Sequence, residues 1–441
     1  MEAASEQKSV YLQEHEALPA VGPAWFMQRR RDAMAAFERQ GFPDRRLEAW
    51  KNANLTAMTQ QHFTAAAAGG VADGGLAAVA ALVPEALRLV FVDGHFSTSH
   101  SDLSSLPTGL RVQSIASALA AGDSVLEAHY GRYAEVDTHP FAALNTAFAE
   151  DGVLIDVAPG TVVDMPVVLV FLAGDAVDGK AVYPRVLVRA GSGSEIRLVQ
   201  HHAGTGTQAY VSCPVVELVV EANAGVQLQH LQEEAPKAWH LGVVHAELGR
   251  DARFNLHTVS TGARYGRTDV YVNLNGSGAQ AAMNGLYLVN DGQHMDYHTW
   301  VRHRAEHGTS QQMFKGILDG KGQSVFDGMI HVAEGAQKTD SQQQNRNLLL
   351  SRRALARSNP RLEIYADDVK CAHGSTVGQL DPDALFYMRS RGIGEQEAKG
   401  LLTFAFANEV LESIALEPLR EHVRERLFAL LPGNETVRKL V

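Results

Sequence analysis

The chain has 441 residues, of which 45% are hydrophobic and 20% charged, and a formal net charge of -11. Such a chain folds into two or three domains, and its acidic balance argues against a general nucleic-acid binder. Two cysteines make no disulfide framework and suit a reducing compartment; with no basic, then apolar leader and no run of roughly 20 apolar residues, a cytoplasmic protein without a membrane segment is expected.

Residues 1 to about 60 read as helix-rich. Trp25, Phe26, Met34 and Phe37 recur at helical spacing and stop at Gly41-Phe42-Pro43, with Arg29-Arg30-Arg31 as a solvated face. Ala65 to Ala81 is rich in Ala and Gly and reads as a loop or loose helix. Arg88 to Asp93 reads as a strand closed by a turn at Gly94, and a Ser-rich segment runs from Ser97 to Ser105.

From about Asp151 to Ile364 the pattern becomes short apolar runs broken by Gly and Pro. Examples are Val153–Val157, Val167–Phe171, Val226–His230, Val270–Leu274 and Gly285–Val289. Regular strands of this kind fit a sandwich, a barrel or a solenoid. A sandwich seldom reaches this length as one unit, whereas a stacked coil grows by adding turns, so a solenoid is favoured although no strict sequence period is visible. Cys213, before Pro214 in one such run, reads as core filler.

Between the strands and the helices that follow lies the stretch Glu363 to Pro382. Leu362, Ile364, Val369 and Cys371, bounded by Pro360 and Gly374, predict an extended segment. Side chains two apart on a strand share a face at roughly 7 Å, so Cys371 and His373 would stand side by side. Thiolate and imidazole suit iron, zinc or copper, but two ligands are too few for a closed site; the others would come from elsewhere. A buried Cys beside a hydrogen-bonded structural His gives the same spacing. Beyond it, Asp381 caps a helix with Pro382 at its first position and Gly392 at its stop. A second helix runs from Gly394, and Leu419, Val423, Leu427 and Leu431 form one stripe of a last one.

The run Asp368-Val369-Lys370-Cys371-Ala372-His373-Gly374-Ser375-Thr376-Val377-Gly378-Gln379-Leu380-Asp381, followed by Leu385 to Ile393, resembles the carboxy-terminal signature of the SufB/SufD family of iron-sulfur cluster assembly scaffolds, in its SufD branch. A second block, Phe141 to Phe148 through Asp151-Gly152 to Pro166, resembles the entry to that family's central domain. A third, Gly41-Phe42-Pro43 with Arg46, Glu48, Trp50 and Lys51, resembles its amino-terminal pattern, although Asn52-Ala53 departs from it. Met388, where cysteine is expected in SufB-type chains, favours the SufD branch.

The resemblance implies a mainly β protein: an N-terminal helix-rich domain over 1–145, a central right-handed parallel β-helix over 146–380 and a C-terminal helical domain over 381–441. It implies a non-enzymatic scaffold subunit that pairs with a SufB-like paralogue, docks a SufC-like ATP-binding-cassette ATPase, and supports cluster formation and iron acquisition. A homodimer of the isolated chain, the cluster type and a part for a flavin stay open. His373, with Cys371, matches candidate interfacial ligands of a nascent, transient iron-sulfur cluster, with no cofactor held by the isolated chain. Gly394 to Ile414 matches the ATPase-docking region, with Gly394, Glu397, Leu401, Phe404, Phe406 and Glu409 as candidate contacts.

Other groups compete for attention. His294, His298, His303 and His307 have metal-like spacing without a neighbouring cysteine, and His201-His202 and His240 are weaker candidates still. Asp296, Asp319, Asp327 and Asp340 could supply the carboxylate pair of a solenoid carbohydrate-active hydrolase or lyase, although Asp-Gly pairs more often form turns. No phosphate-binding Gly-x-x-x-x-Gly-Lys-Ser/Thr run is present, so nucleotide hydrolysis would belong to a partner.

Overall fold

A computed structural model describes residues 2–69, 82–204 and 206–440. The expectation of a loop or loose helix over 65–81 falls largely outside these residues.

Most of the chain winds into a parallel β-solenoid whose successive strands alternate between two facing sheets, of twelve and ten strands. Each strand therefore pairs with the strand one full turn away, as Gln280–Val289 does with Arg253–Ser260 on one side and Thr309–Leu318 on the other. Because the register is kept from turn to turn, inward residues stack in columns. Val226, Phe254 and Ala281 form one, and Leu228, Leu256 and Met283 the next. These are fully buried and belong to a continuous core running through the coil. Strands Leu87–Val92 and Leu110–Ser114, from the helix-rich region, join the first turn of the two sheets.

The repeat that the sequence conceals lies in the backbone. Gly193, Asn223, Asp251, Gly278, His307 and Lys338 all have φ between 55° and 73°, at spacings of 30, 28, 27, 29 and 31 residues. The amide of each donates to a carbonyl in the corresponding turn of the next coil: Gly193 to Ala222, Asn223 to Arg250, Asp251 to Ser277, Gly278 to Glu306, His307 to Gln337 and Lys338 to Asp368. A left-handed residue at each corner thus continues the hydrogen-bonding of the sheets around the bend.

The two outer sheet faces are covered by different ends of the chain. Helix Ala24–Gln40 and helix Pro140–Phe148 lie on one, packing Met34, Phe37, Phe141 and Phe148 against Tyr183, Trp239 and Tyr265. Cys213 is buried there as core filler, and burial pushes its thiol far above the ordinary value. The arginine run is a solvated face only at Arg31, which is exposed; Arg30 is 3% exposed and donates to the Ala147 carbonyl at 2.9 Å, while Arg29 donates to that of Tyr130. Helix–sheet contact needs those carbonyls at a helix end satisfied, and this need overrides the preference of a guanidinium for water.

Buried charge pairs fasten the same interface. Arg185 and Glu217 are wholly enclosed at 2.5 Å, and Glu217 also accepts the amides of Gly131, Tyr133 and Ala134. Burial opposes ionisation of Glu217, but Arg185 and these amides outweigh it and hold the carboxyl below its usual range. Arg267 forks onto Asp269, stacks 3.6 Å over the Trp50 ring and donates to the Ala49 carbonyl. Trp50 therefore clamps the helical region onto an arginine of the coil.

On the other face lie helices Glu395–Leu411 and Glu417–Leu430. Phe404, Val410, Leu411, Val423 and Leu427 pack against Val170, Leu172, Leu231, Leu288 and Ile317. Burying each such side chain is worth about 1.5–3 kcal/mol, so these helices are part of the fold of this chain. The expected stop at Gly392 has φ 86°, and Asp381 caps by accepting the Asp383 amide.

Two stability measurements follow from this geometry. In urea titrations Asn223→Val destabilises by about 1–2 kcal/mol, since an exposed β-branched residue is strained at that φ, whereas Asn223→Gly is near neutral. Glu217→Gln costs about 3–5 kcal/mol because it leaves Arg185 buried without its counter-charge. The Glu217 contribution is full above the ordinary glutamate value of about 4.3 and is lost as pH falls through the lower folded value, so the variant's deficit shrinks in acid.

Candidate functional site

The coil has no further turn after residue 378, so its last two strands each have one unpaired edge among the described residues. Lys370–Gly378 pairs only with Asp340–Leu349, and Leu355–Ile364 only with Gln323–Val332. Residues 372–378 are exposed, and Leu355, Ile364, Tyr365 and Val377 present apolar surface at the same end. A long strand edge with free amides and carbonyls is a template for pairing with another chain.

Register places the sequence's two candidate ligands at this mouth. Cys371, His373, Ser375 and Val377 align with Ser341, Gln343, Asn345 and Asn347, all four of them buried and facing the interior. In parallel strands paired residues share a face. Cys371 and His373 therefore cap two interior columns, on one side of the strand as their spacing predicted. Neither is sealed in: Cys371 is half-buried and His373 exposed. His373 lines a cavity of about 330 Å³ with Gln343, Asn345 and Arg346.

The floor beneath is polar. The Ser310 and Ser341 hydroxyls are 2.6 Å apart, and His303 Nε2 lies 2.9 Å from Ser310, so a hydrogen-bonded line runs inward from the layer under Cys371. Gln343, directly below His373 in register, has both amide atoms buried without partners among the described residues. Sequence reasoning missed these groups. Ser341 to Asn347 holds no apolar residue, so alternation could not mark which side faces in; an offset of about thirty residues from Cys371 and His373 is the signal that could have found them.

Burial, with the nearby Asp340 carboxylate, raises the Cys371 thiol against an opposing hydrogen bond from the Ser341 backbone. The free thiol is therefore protonated at neutral pH, and a soft metal would bind it by displacing the proton. A half-exposed thiol and an exposed imidazole at an unpaired edge can supply part of a coordination sphere, with the remainder coming from whatever covers the edge.

The competing candidates are dispersed. On strand His294–His303 side chains alternate, so His294 and His298 face outward around Asp296, while His303 points inward and His307 occupies a left-handed turn. No common ion can be shared by all four. Asp296 is buried against His298 and Arg267, Asp327 pairs with Arg361, and Asp319 accepts the amide of Gly320 in its turn, so each of these three carboxylates has a structural partner. His201 and His202 point to opposite faces: His201 lies 3.0 Å from Glu233, outside the coil, and Glu233 also binds His422 and Arg426 of the C-terminal helices.

Of the residues proposed for docking on the second C-terminal helix, Phe404 is buried against the coil, Phe406 is half-buried under Lys315, and Glu409 binds that lysine at 2.6 Å. Gly394 is at the N-cap, and Glu397 and Leu401 are partly exposed on the same helix. Beside them, helix Pro382–Ser390 exposes Phe386 and Tyr387 at 72% and 59%. No helix among the described residues is long and apolar enough to cross a membrane.

Residues 171–406 match the sequence family described as SUF system FeS cluster assembly, SufBD core domain, and residues 1–169 match the SufBD protein N-terminal region. The chain is 32% identical over 400 residues to iron-sulfur cluster assembly protein SufD of Escherichia coli, covering 90% of this chain and 91% of that protein. It is 31% identical to a SufBD family protein of Synechocystis, covering 87% and 86% of the two chains. The SufD protein of Bacillus subtilis is similar at 23% identity over 91% and 93%.

In thiol titration of the native chain, Cys371 reacts and Cys213 does not, and Cys371→Ser removes the signal. Because burial and Asp340 raise the thiol, its reaction rate climbs with pH to a midpoint above that of free cysteine; Asp340→Asn moves the midpoint down.

Proposed function

The chain belongs to the SufBD family of iron-sulfur cluster assembly proteins, and on that premise we propose that it is a SufD-type scaffold subunit that works by pairing its open coil end with a SufB-like paralogue. The observation that carries this reading is the pair of uncovered strand edges with Cys371 and His373 at their mouth. Strand addition across such an edge satisfies the free amides and carbonyls and buries Ile364, Tyr365 and Val377. It would also bring ligands of the second chain opposite His373 and Cys371. A nascent iron-sulfur cluster, as cargo, would then be held half by each subunit, with His373 the principal ligand on this side. The raised thiol of Cys371 suits a group that loses its proton only when the metal arrives.

A SufC-like ATPase would dock at the C-terminal helices. Glu397, Leu401 and the exposed Phe386 and Tyr387 offer the accessible surface, while Phe404, Phe406 and Glu409 join the docking helix to the coil. Nucleotide-driven closure of two ATPases would move these helices, and Lys315, which binds both Glu409 and the Phe406 carbonyl, would pass the movement to the sheet. This chain would thus contribute geometry and ligands, with hydrolysis belonging to the partner. On this reading it acts in the cytoplasm.

Co-purification with the partner subunits tests the assignment. His373→Ala retains the complex but lowers the iron and sulfide recovered with it at least several-fold; unchanged recovery removes His373 from the site. Tyr365→Lys, at the exposed coil end, reduces recovery of the paralogue without changing the melting curve of the isolated chain. Phe386→Asp with Tyr387→Asp reduces recovery of the ATPase and leaves the paralogue bound.

A further inference from the structure

Far from the open end, the interior of the coil holds a second set of ligating side chains. His202 lies near the end of strand Glu195–Gly204, Glu234 follows strand Gly225–Glu233, and His240 lies at the start of strand Trp239–Leu248. The side chains converge where the chain turns from one sheet to the other. One ligand atom from each of the three lies within 4.8 Å of the others, and all three residues are buried. His230 joins them, its ring centre 5.0 Å from that of His202 and 5.6 Å from that of His240.

We propose that His202, Glu234 and His240 form a site for one divalent first-row transition metal ion, with His230 within reach as a fourth ligand. Two independent features beyond the clustering point to a ligand. The first is unpartnered nitrogen: among the described residues, both ring nitrogens of His202 and the Nε2 atoms of His230 and His240 are buried without hydrogen-bond partners. An unsatisfied buried polar group is destabilising, and a natural core seldom gathers several in one place without a use. The second is a buried carboxylate with no permanently charged partner. Glu217 and Asp269, equally buried, each face an arginine, whereas the only ion-pair partner of Glu234 among the described residues is His240, at 2.8 Å. A cation bound by these ligands would give Glu234 a permanent counter-charge.

The surroundings resemble an outer shell. The Gln232 amide donates to Glu234 at 3.0 Å, the Gln200 carbonyl lies 3.1 Å from His230 Nδ1, and Phe171 stacks on His202 at 4.4 Å. These contacts orient the rings and the carboxylate as outer partners of metal ligands do. A small cavity lined by Asp93, Tyr210, Ser212 and Glu234 adjoins a second, lined by Asp93, His95 and Asp151, which offers an approach.

Two or three imidazoles and one carboxylate, with no sulfur, suit Zn²⁺ or Fe²⁺ and do not suit Cu⁺ or an iron-sulfur cluster. Tetrahedral binding needs ligand atoms about 3.4 Å apart, a closure that small ring rotations supply. Six ladder steps separate the strand of His202 from that of His373, roughly 29 Å at about 4.8 Å a step. The site is therefore distinct from the coil end and shares no residue with it. Its bound ion would tie both sheets together at one corner.

The test uses the full chain loaded with Zn²⁺, freed of excess by gel filtration and analysed for metal. About one equivalent stays with the wild type and with the Cys371→Ser, His373→Ala double variant, and is lost in His202→Gln, His240→Gln and in Glu234→Gln. Zn²⁺ also raises the melting temperature of the first two proteins and not of the others. A wild type that retains no zinc overturns the proposal, as do interior variants that retain as much as wild type. Should those variants fail to fold, Co²⁺ in the wild-type chain decides: a tetrahedral spectrum without a sulfur charge-transfer band supports the site, and an octahedral or sulfur-ligated one overturns it. Neither result depends on pairing at the coil end, so failure here leaves the scaffold reading standing.

Discussion

Hydrogen bonding between strands one turn apart is the interaction on which the rest of this molecule depends. In a coil of parallel strands no turn can satisfy its own amides and carbonyls; each is completed by the turn above and the turn below. Two consequences follow at once. The register must hold from layer to layer, so inward side chains line up in columns, and the series must end somewhere. Here one end meets strands Leu87–Val92 and Leu110–Ser114, while the other stops with edges unpaired among the described residues. A solenoid usually closes such an end with a polar cap. That this end is left open, with a thiol and an imidazole upon it, is the feature on which the proposed pairing rests.

The columns also explain why the interior changes character. In the early layers the core toward the start of the strands is apolar, with Val226 stacked on Phe254 and Leu228 on Leu256. Toward their ends polar groups enter: Gln200, His202 and His230 in the early layers, Thr258, Ser260 and Tyr297 in the middle, Asn345 and Asn347 near the mouth. Tyr297 contacts both Ser260 and Thr258, and the Tyr287 hydroxyl joins Asn345 and Asn347, so much of this polar seam is satisfied internally. The outer faces depend on the two ends of the chain, one clamped by charge pairs under Trp50 and the other by apolar helices with Lys315 at their edge.

Several elements were legible because their signals are local. Asp381 with Pro382 marks a helix start through one backbone geometry, Gly392 a stop through another, and Leu419, Val423 and Leu427 a face through a period of 3.6 residues. Extended backbone was legible from Leu362 to Ile364 and again at Cys371 for the same reason, but the corner at 365–369, which sends the two pieces to different sheets, was not. The thirty-residue period was not, because what recurs is a left-handed backbone angle, met by Gly, Asn, Asp, His and Lys in turn. The arginine run misled, because the carbonyls that bury Arg29 and Arg30 arrive from residues about a hundred positions away.

The sequence by itself determined which segments extend and which coil, that Cys371 and His373 share one face of a strand, and, through three motif blocks, the family. Tertiary structure alone decided which face of each strand is interior. Alternation names two faces but cannot label them when both are polar, as from Ser341 to Asn347. It likewise decided that His201 and His202, adjacent in the chain, belong to different environments, and that His202 meets Glu234 and His240. Proximity between groups some thirty residues apart is set by the length of a coil turn, and that length is a property of how layers stack, which no single segment encodes.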